Sequence, residues 1–242
     1  MHKRKGYDPW GPKERDNASC RDFRMSYTRY LIYDGQINYG RDTSVITRSE
    51  FLDIVKLEGH VRGSTLNTDA AFVKSREGRG GLNKVEECFQ NLGYPVEYKH
   101  IQDMGWYPLC VRVLSLRTIQ DVLELKDEEM VTMGDMAPKF SFLVKVYMKF
   151  TNLPEHAFSA IPEYWGMHYT VGKMEVGELN EDAGFMTVRL VDFKIHPVFC
   201  RYLEGYFRRL LQFSFVSREV RCWETRCSFA DAPYHEYRIA WK

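Results

Sequence analysis

The spacing of apolar residues changes character twice along the chain. Residues 1–26 are polar, carry Gly, Pro and Asn, and sustain no period, so they read as a flexible or partner-dependent arm. Tyr27-Thr-Arg-Tyr-Leu-Ile-Tyr-Asp-Gly-Gln-Ile-Asn-Tyr39 then places two β-prone runs around Asp34-Gly35. Both turn residues tolerate positive φ, which predicts a tight hairpin. A lone hairpin is marginal in water, so this one should pack on the main body or on a second subunit. From Ser64 to Leu92 the period is helical, broken at Gly78-Arg-Gly-Gly81, which predicts two helices joined by a short loop. Leu82, Val85, Cys88, Phe89 and Leu92 share one stripe of the second. Further helices are expected at 118–125, 128–133 and 137–151, with Gly134 separating the last two. Another is expected at 154–169, which Pro162 must kink or begin.

After Gly172 the period shortens to two. Residues 173–179 and 185–193 alternate as strands around the turn-prone Asn180-Glu-Asp-Ala-Gly184. His196-Pro197 opens a helix whose buried face is Val198, Leu203, Tyr206, Leu210 and Leu211. Two β-prone runs, 214–226 and 234–241, close the chain around Asp231-Ala-Pro233. Helices, hairpin, helix, hairpin is the order of an α+β domain, with a helical N-terminal half packed on an antiparallel sheet. The expected division is an arm at 1–26, a hairpin or dimerisation extension at 27–58, and a domain at 59–242.

Composition narrows the function classes. A chain of 242 residues with 44% hydrophobic content can bury one substantial core. A net charge of +1 offers no positive field for counterion release, so no direct nucleic-acid binding is expected. The basic start lacks an apolar leader core, and no stretch approaches a membrane span, which predicts a soluble, cytoplasmic protein. The cysteines at 20, 88, 110, 200, 222 and 227 are too scattered for a disulfide scaffold and read as reduced thiols or metal ligands. Catalysis is not expected, and no catalytic residue is assigned. There is no Gly-rich phosphate cradle, no Gly-x-Ser-x-Gly and no His-Glu-x-x-His, and Asp127-Glu-Glu129 reads as a solvated helix start.

The informative segment is Cys200-Arg-Tyr-Leu-Glu-Gly-Tyr206, then Glu224-Thr-Arg-Cys227, then His235. Thiolate, carboxylate and imidazole are all zinc ligands, and four of them closing a tetrahedron would define a structural site without an open position. On spacing alone the alternative is a buried thiol and a satisfied core histidine.

This C-terminal segment resembles the 4-vinyl reductase-type ligand-binding domain, also found as the sensory module of phenol- and xylene-responsive activators. In that family a Cys precedes a helix containing Gly-Tyr, and a hairpin carries Glu-x-x-Cys and a further metal-binding Cys. The matching residues here are Cys200, Gly205-Tyr206, Glu224 with Cys227, the turn Asp231-Ala-Pro233, and His235 in place of the last Cys. Gly59-His-Val-Arg-Gly-Ser-Thr-Leu66 resembles the way members open their first helix. The resemblance implies one structural zinc held by Cys200, Glu224, Cys227 and His235. It also implies a fold shared with haem nitric-oxide-binding domains and with subunits of a Golgi tethering complex.

Family members that sense aromatics hold them in an apolar cavity between helices and sheet. Tyr164-Trp-Gly-Met-His168-Tyr-Thr-Val-Gly172 is similar to the stretch that carries the polar group in phenol sensors. His168 is therefore the first candidate ligand contact, with Trp165, Tyr164 and Phe193 as walls and Trp106 as a further candidate. A haem would need His156 or His168 as an axial ligand, and the Tyr-x-Ser-x-Arg signature that grips its propionates is absent. The leading expectation is a zinc-stabilised protein that binds or senses a small apolar, aromatic or tetrapyrrole-like molecule, forms a homodimer and engages a partner protein. The alternatives are an enzyme or accessory in tetrapyrrole or aromatic metabolism, and a scaffold subunit resembling the tethering-complex proteins.

Overall fold

A computed structural model describes residues 46–141, 144, 161–214 and 219–242. The expected arm, the 27–39 hairpin, most of the expected helical stretch between 137 and 160, and His156 lie outside the described residues. The described chain opens with α1 (Arg48–Ile54), started by Thr47, whose hydroxyl accepts the Glu50 N–H at 3.1 Å. Phe51 and Ile54 turn this helix onto the core. A short ribbon follows, β1 (His60–Arg62) antiparallel to β2 (Trp106–Pro108).

Between them runs α2 (Gly63–Asn91). The expected loop at Gly78–Gly81 is a one-residue kink: Gly78 alone leaves helical geometry, at φ 65° and ψ −160°, and helix resumes at once. Next, α3 (Leu109–Val122) starts well before the helix expected at Thr118. Its first turns, Leu109-Cys-Val-Arg-Val-Leu-Ser-Leu116, are buried on all sides, so no polar stripe marks the period in the sequence. Cys110 at its start is disulfide-bonded, unlike the free Cys88, Cys200, Cys222 and Cys227, which departs from the reading of reduced cysteines throughout.

In α4 (Asp127–Phe140) the acidic first turn behaves as expected, with Glu129 Oε2 accepting the Lys126 N–H at 3.0 Å. The helix continues through Gly134 instead of breaking there. A Cβ on Gly134 would lie 1.8 Å from the Tyr202 carbonyl oxygen, and one on Gly205 would lie 1.8 Å from that of Val131. The two glycines let α4 and α6 (Val198–Ser214) cross backbone to backbone. Between these comes α5 (Ile161–His168), with Pro162 in its first turn; the expected stretch before it, from 154, lies outside the described residues.

The sheet is four-stranded and antiparallel in the order β3 (Lys173–Asn180), β4 (Phe185–Val191), β6 (Tyr234–Trp241), β5 (Val220–Arg226). The β3–β4 turn is held by Asn180 Oδ1, which accepts the Ala183 N–H at 2.8 Å. Gly184 closes that turn at φ 69°, where a Cβ would meet the Trp241 carbonyl at 2.5 Å. Register places Leu190 opposite His235, Val188 opposite Tyr237, and Glu224 opposite Tyr237 from the other side. Both edge strands carry a register shift, β3 between Val176 and Leu179 and β5 between Glu224 and Arg226.

Helix α6 packs on β5 and β6 and, through its other side, on α4. The fold is thus the expected α+β arrangement, and one apolar core joins the helices to the sheet. Among the described residues no helix is long and apolar enough to cross a membrane.

Candidate functional site

Two groupings of side chains stand out, one between the helices and one where α6 meets the sheet. The first is a small chamber lined by Thr65 and Thr68 of α2, Ala137 of α4, Ser141, Trp165 and His168 of α5, Tyr169, and Tyr202, Leu203 and Tyr206 of α6. Its volume is about 20 Å³, room for roughly one water molecule.

His168 is 3% exposed, and its Nδ1 lies 3.1 Å from the Tyr164 carbonyl. A carbonyl only accepts, so Nδ1 carries the proton and donates. Burial, opposed by that hydrogen bond, holds the imidazole pKa below its usual value of 6.5, so the ring is neutral. Nε2 is then a bare lone pair, buried and without a partner. Among the described lining side chains it is the buried polar atom left without a partner. Trp165 stacks on Tyr169 at 4.4 Å between ring centres and spends its indole N–H on the Val171 carbonyl at 3.0 Å. Tyr164 bonds Tyr206 hydroxyl to hydroxyl at 2.6 Å.

The structure thus brings His168 and Trp165 to the chamber wall. Tyr164 stands behind His168, with ring centres 4.6 Å apart, and Phe193 backs Trp165 and Tyr169 edge-on. Trp106 lies elsewhere, in β2 under the guanidinium of Arg62 at 3.8 Å. Sequence reasoning missed Tyr169, Tyr202 and the two threonines. It also missed the ion pair behind them, in which Arg112, fully buried, donates through Nη1 to Asp69 Oδ2. Ser115 Oγ donates to the same oxygen at 2.6 Å and meets the Tyr98 hydroxyl at 2.7 Å. Burial works against the Arg112 charge, but Asp69 outweighs it and keeps the guanidinium protonated. The signal was available: one Arg within the apolar run Leu109–Leu116 needs a buried counter-charge.

The second grouping is the one expected from the C-terminal spacing. Cys200 in the first turn of α6, Glu224 at the end of β5, Cys227 after it, and His235 in β6 each offer a ligand atom, all within 4.8 Å of one another. The two Sγ atoms are 3.7 Å apart. Two thiolates at about 2.3 Å from a tetrahedral cation are separated by about 3.7 Å, so this edge is set without rearrangement. Glu224 Oε1 and His235 Nδ1 are hydrogen-bonded to each other at 2.7 Å. Burial, reinforced by Glu224 and Cys227, pushes the Cys200 thiol pKa up, which keeps it protonated until a positive charge arrives.

The arrangement of helices and sheet is an α+β fold similar to that of H-NOX proteins. Solved structures with this fold include an H-NOX protein from S. oneidensis in the Fe(II)NO ligation state, with a TM-score of 0.56 at 10% identity over 75% of this chain and 99% of that one. The unliganded Fe(II) H-NOX protein from K. algicida gives 0.55 at 12% identity over 75% and 96%. An oxygen-binding H-NOX domain related to soluble guanylate cyclases gives 0.53 at 14% over 75% and 95%. At these identities the likeness shows the fold alone. No protein-family model and no curated protein matches the sequence.

This comparison corrects the cofactor expected from the sequence. The proteins that share the fold are described with Fe(II) centres and oxygen binding, and the sequence-based expectation of a structural zinc is withdrawn. The haem that the fold implies was tested against the residues present and does not fit. His168 Nε2 is a suitable bare donor, but about 20 Å³ is far below the roughly 300–1,000 Å³ of a site for even a drug-sized molecule.

Proposed function

We propose that this chain is a small-molecule binding or sensing module of the 4-vinyl reductase type, taking a small apolar or aromatic ligand at the His168 chamber. The observation that carries this reading is the bare, buried His168 Nε2 on a wall that also holds Trp165, Tyr169, Tyr202 and Leu203, beside Thr65, Thr68 and Ser141. Such a wall recognises an apolar body with one hydrogen-bond donor. Because the chamber holds only about the volume of a water, a ring can enter only if the α4–α6 and α5 side chains part. Binding is then coupled to a shape change, which is what a sensor needs. The division into arm, 27–58 extension and 59–242 domain belongs to this proposal, as does a homodimer.

Cys200, Glu224, Cys227 and His235 enter the reading as a donor set for a thiophilic divalent cation, with no element claimed. Its support is the convergence of four ligand atoms on one corner that ties α6 to the β5–β6 hairpin.

Native mass spectrometry and calorimetry of the full chain against phenol, toluene and hemin test the ligand reading. The expected result is one phenol per chain with a negative heat-capacity change, at least tenfold weaker toluene binding, loss of the difference in His168→Phe, and no hemin uptake. Equal affinities for phenol and toluene, or stoichiometric hemin binding, refute it. The small size of the chamber also favours a second reading, a scaffold subunit whose cavity is structural. In that case a partner chain copurifies and His168→Phe changes nothing in its capture.

A further inference from the structure

The face of β6 that carries His235 carries Tyr237 two residues on, and Tyr237 sits opposite Glu224 of β5 in the ladder. Its side chain is fully buried, with its ring edge-on to Phe207 at 5.0 Å, and its hydroxyl has no hydrogen-bond partner. A buried phenol left unpaired costs on the order of 1–3 kcal/mol, so a hydroxyl at such a place calls for an acceptor that the metal-free arrangement does not provide. Phenylalanine would fill the same space without that cost.

The surroundings say where the acceptor would come from. Glu224 stands opposite Tyr237 in the β5–β6 ladder and so shares its face of the sheet, and Cys200 offers its sulfur within 4.8 Å of the Glu224 ligand atom, so the acceptors nearest to hand belong to the donor set. The competing acceptors are committed as the chain stands: Glu224 Oε1 to His235, and Glu204 to the Glu224 N–H at 3.0 Å and to Arg201 at 2.6 Å. Cysteine sulfur is at most a weak acceptor. A cation bound by the four ligand atoms would change each of these facts. It would take the imidazole nitrogen away from Glu224, convert the thiols to thiolates, and leave a carboxylate oxygen and a sulfur lone pair in need of a donor.

We propose that Tyr237 is the positioning residue of this donor set, its hydroxyl donating to the Glu224 carboxylate or the Cys200 thiolate when a cation is bound. The inference rests on the donor-set reading above. The phenol neither touches the cation nor changes its charge; it fixes the orientation of one ligand and withdraws electron density from it.

The test is a cobalt(II) titration of the full-length wild type and of Tyr237→Phe, following the thiolate-to-metal charge-transfer band and the visible ligand-field bands. The wild type should bind one equivalent. Tyr237→Phe should bind about 10–100-fold more weakly, as removal of such outer-shell partners does. Its charge-transfer band should also move, a readout that a packing role for the hydroxyl would leave unchanged. Equal affinity and an identical spectrum in Tyr237→Phe overturn the role of the tyrosine alone. A wild type that binds no cobalt, with Cys227→Ser indistinguishable from it, overturns the donor set and the inference together. Thermal melts without metal act as the folding control: Tyr237→Phe should melt at or slightly above the wild type, because the orphaned hydroxyl is gone.

Discussion

Replacing Gly134 by alanine should loosen the helix pair that forms one side of the chamber. The added carbon would sit 1.8 Å from the Tyr202 carbonyl oxygen and 2.8 Å from its carbon, both backbone atoms that cannot rotate away. An ordinary carbon–oxygen contact is about 3.3–3.6 Å, so α4 and α6 must separate by about 1.5 Å along this line. Overpacking of a core contact costs about 1–3 kcal/mol, and a backbone obstruction belongs at the top of that range. Alanine returns about 1 kcal/mol of helix propensity, which leaves a net loss of about 2 kcal/mol. For a chain of this size that is a fall in Tm of roughly 4–8 °C. Gly80 is the internal control: it is helical, exposed, and a Cβ there meets nothing within 4 Å. Gly80→Ala should raise Tm by about 2 °C. Differential scanning calorimetry of both variants checks the reasoning, and a Gly134→Ala protein melting at or above the wild type refutes it. Because Ala137, Tyr202 and Tyr206 line the chamber from these same helices, the variant should also admit a ring-sized ligand more readily.

Other outcomes follow from the buried charges. Because the folded-state pKa of His168 lies below the 6.5 of a free imidazole, the unfolded chain takes up the proton first. Stability should therefore fall as pH drops below about 6.5, and urea midpoints across that window should show a smaller fall in His168→Gln. His196 is depressed in the same direction by burial, so the difference between the two proteins is the quantity to compare, and equal slopes would refute the neutral ring. Arg112→Met leaves the Asp69 carboxylate buried beside Ser115 without its cation and should cost about 3–5 kcal/mol in urea denaturation. Adding Asp69→Leu should restore much of the loss, and additive losses would count against the pair.

Much of the C-terminal half was legible because the spacing of its apolar residues switches from a period of two to a helical one and back. The alternation of 173–179 and 185–193, and the stripe Val198, Leu203 and Leu211, survive as β3, β4 and α6. The cluster at Cys200, Glu224, Cys227 and His235 was readable because cysteine and histidine are scarce enough for their spacing to mean something. Its occupant was not readable, since the same atoms suit several cations. Helix α3 was misplaced because a segment buried all round has no period. Gly134 was taken for a stop because a sequence shows the flexibility of glycine and hides its small size, which is what the crossing uses. The chamber was only half visible. Trp165 and His168 announce themselves, whereas Thr65, Tyr169 and Tyr202 matter only through where three helices bring them.

The register shifts in β3 and β5 bear on how copies of this chain could associate. The two inner strands pair without interruption, while each outer strand is offset by an extra residue partway along. A neighbour trying to zip itself onto either margin would lose step at that offset, so growth by strand addition is discouraged on both flanks. Self-association of this molecule should accordingly run through its helical side, leaving the sheet a closed piece of fabric with finished hems.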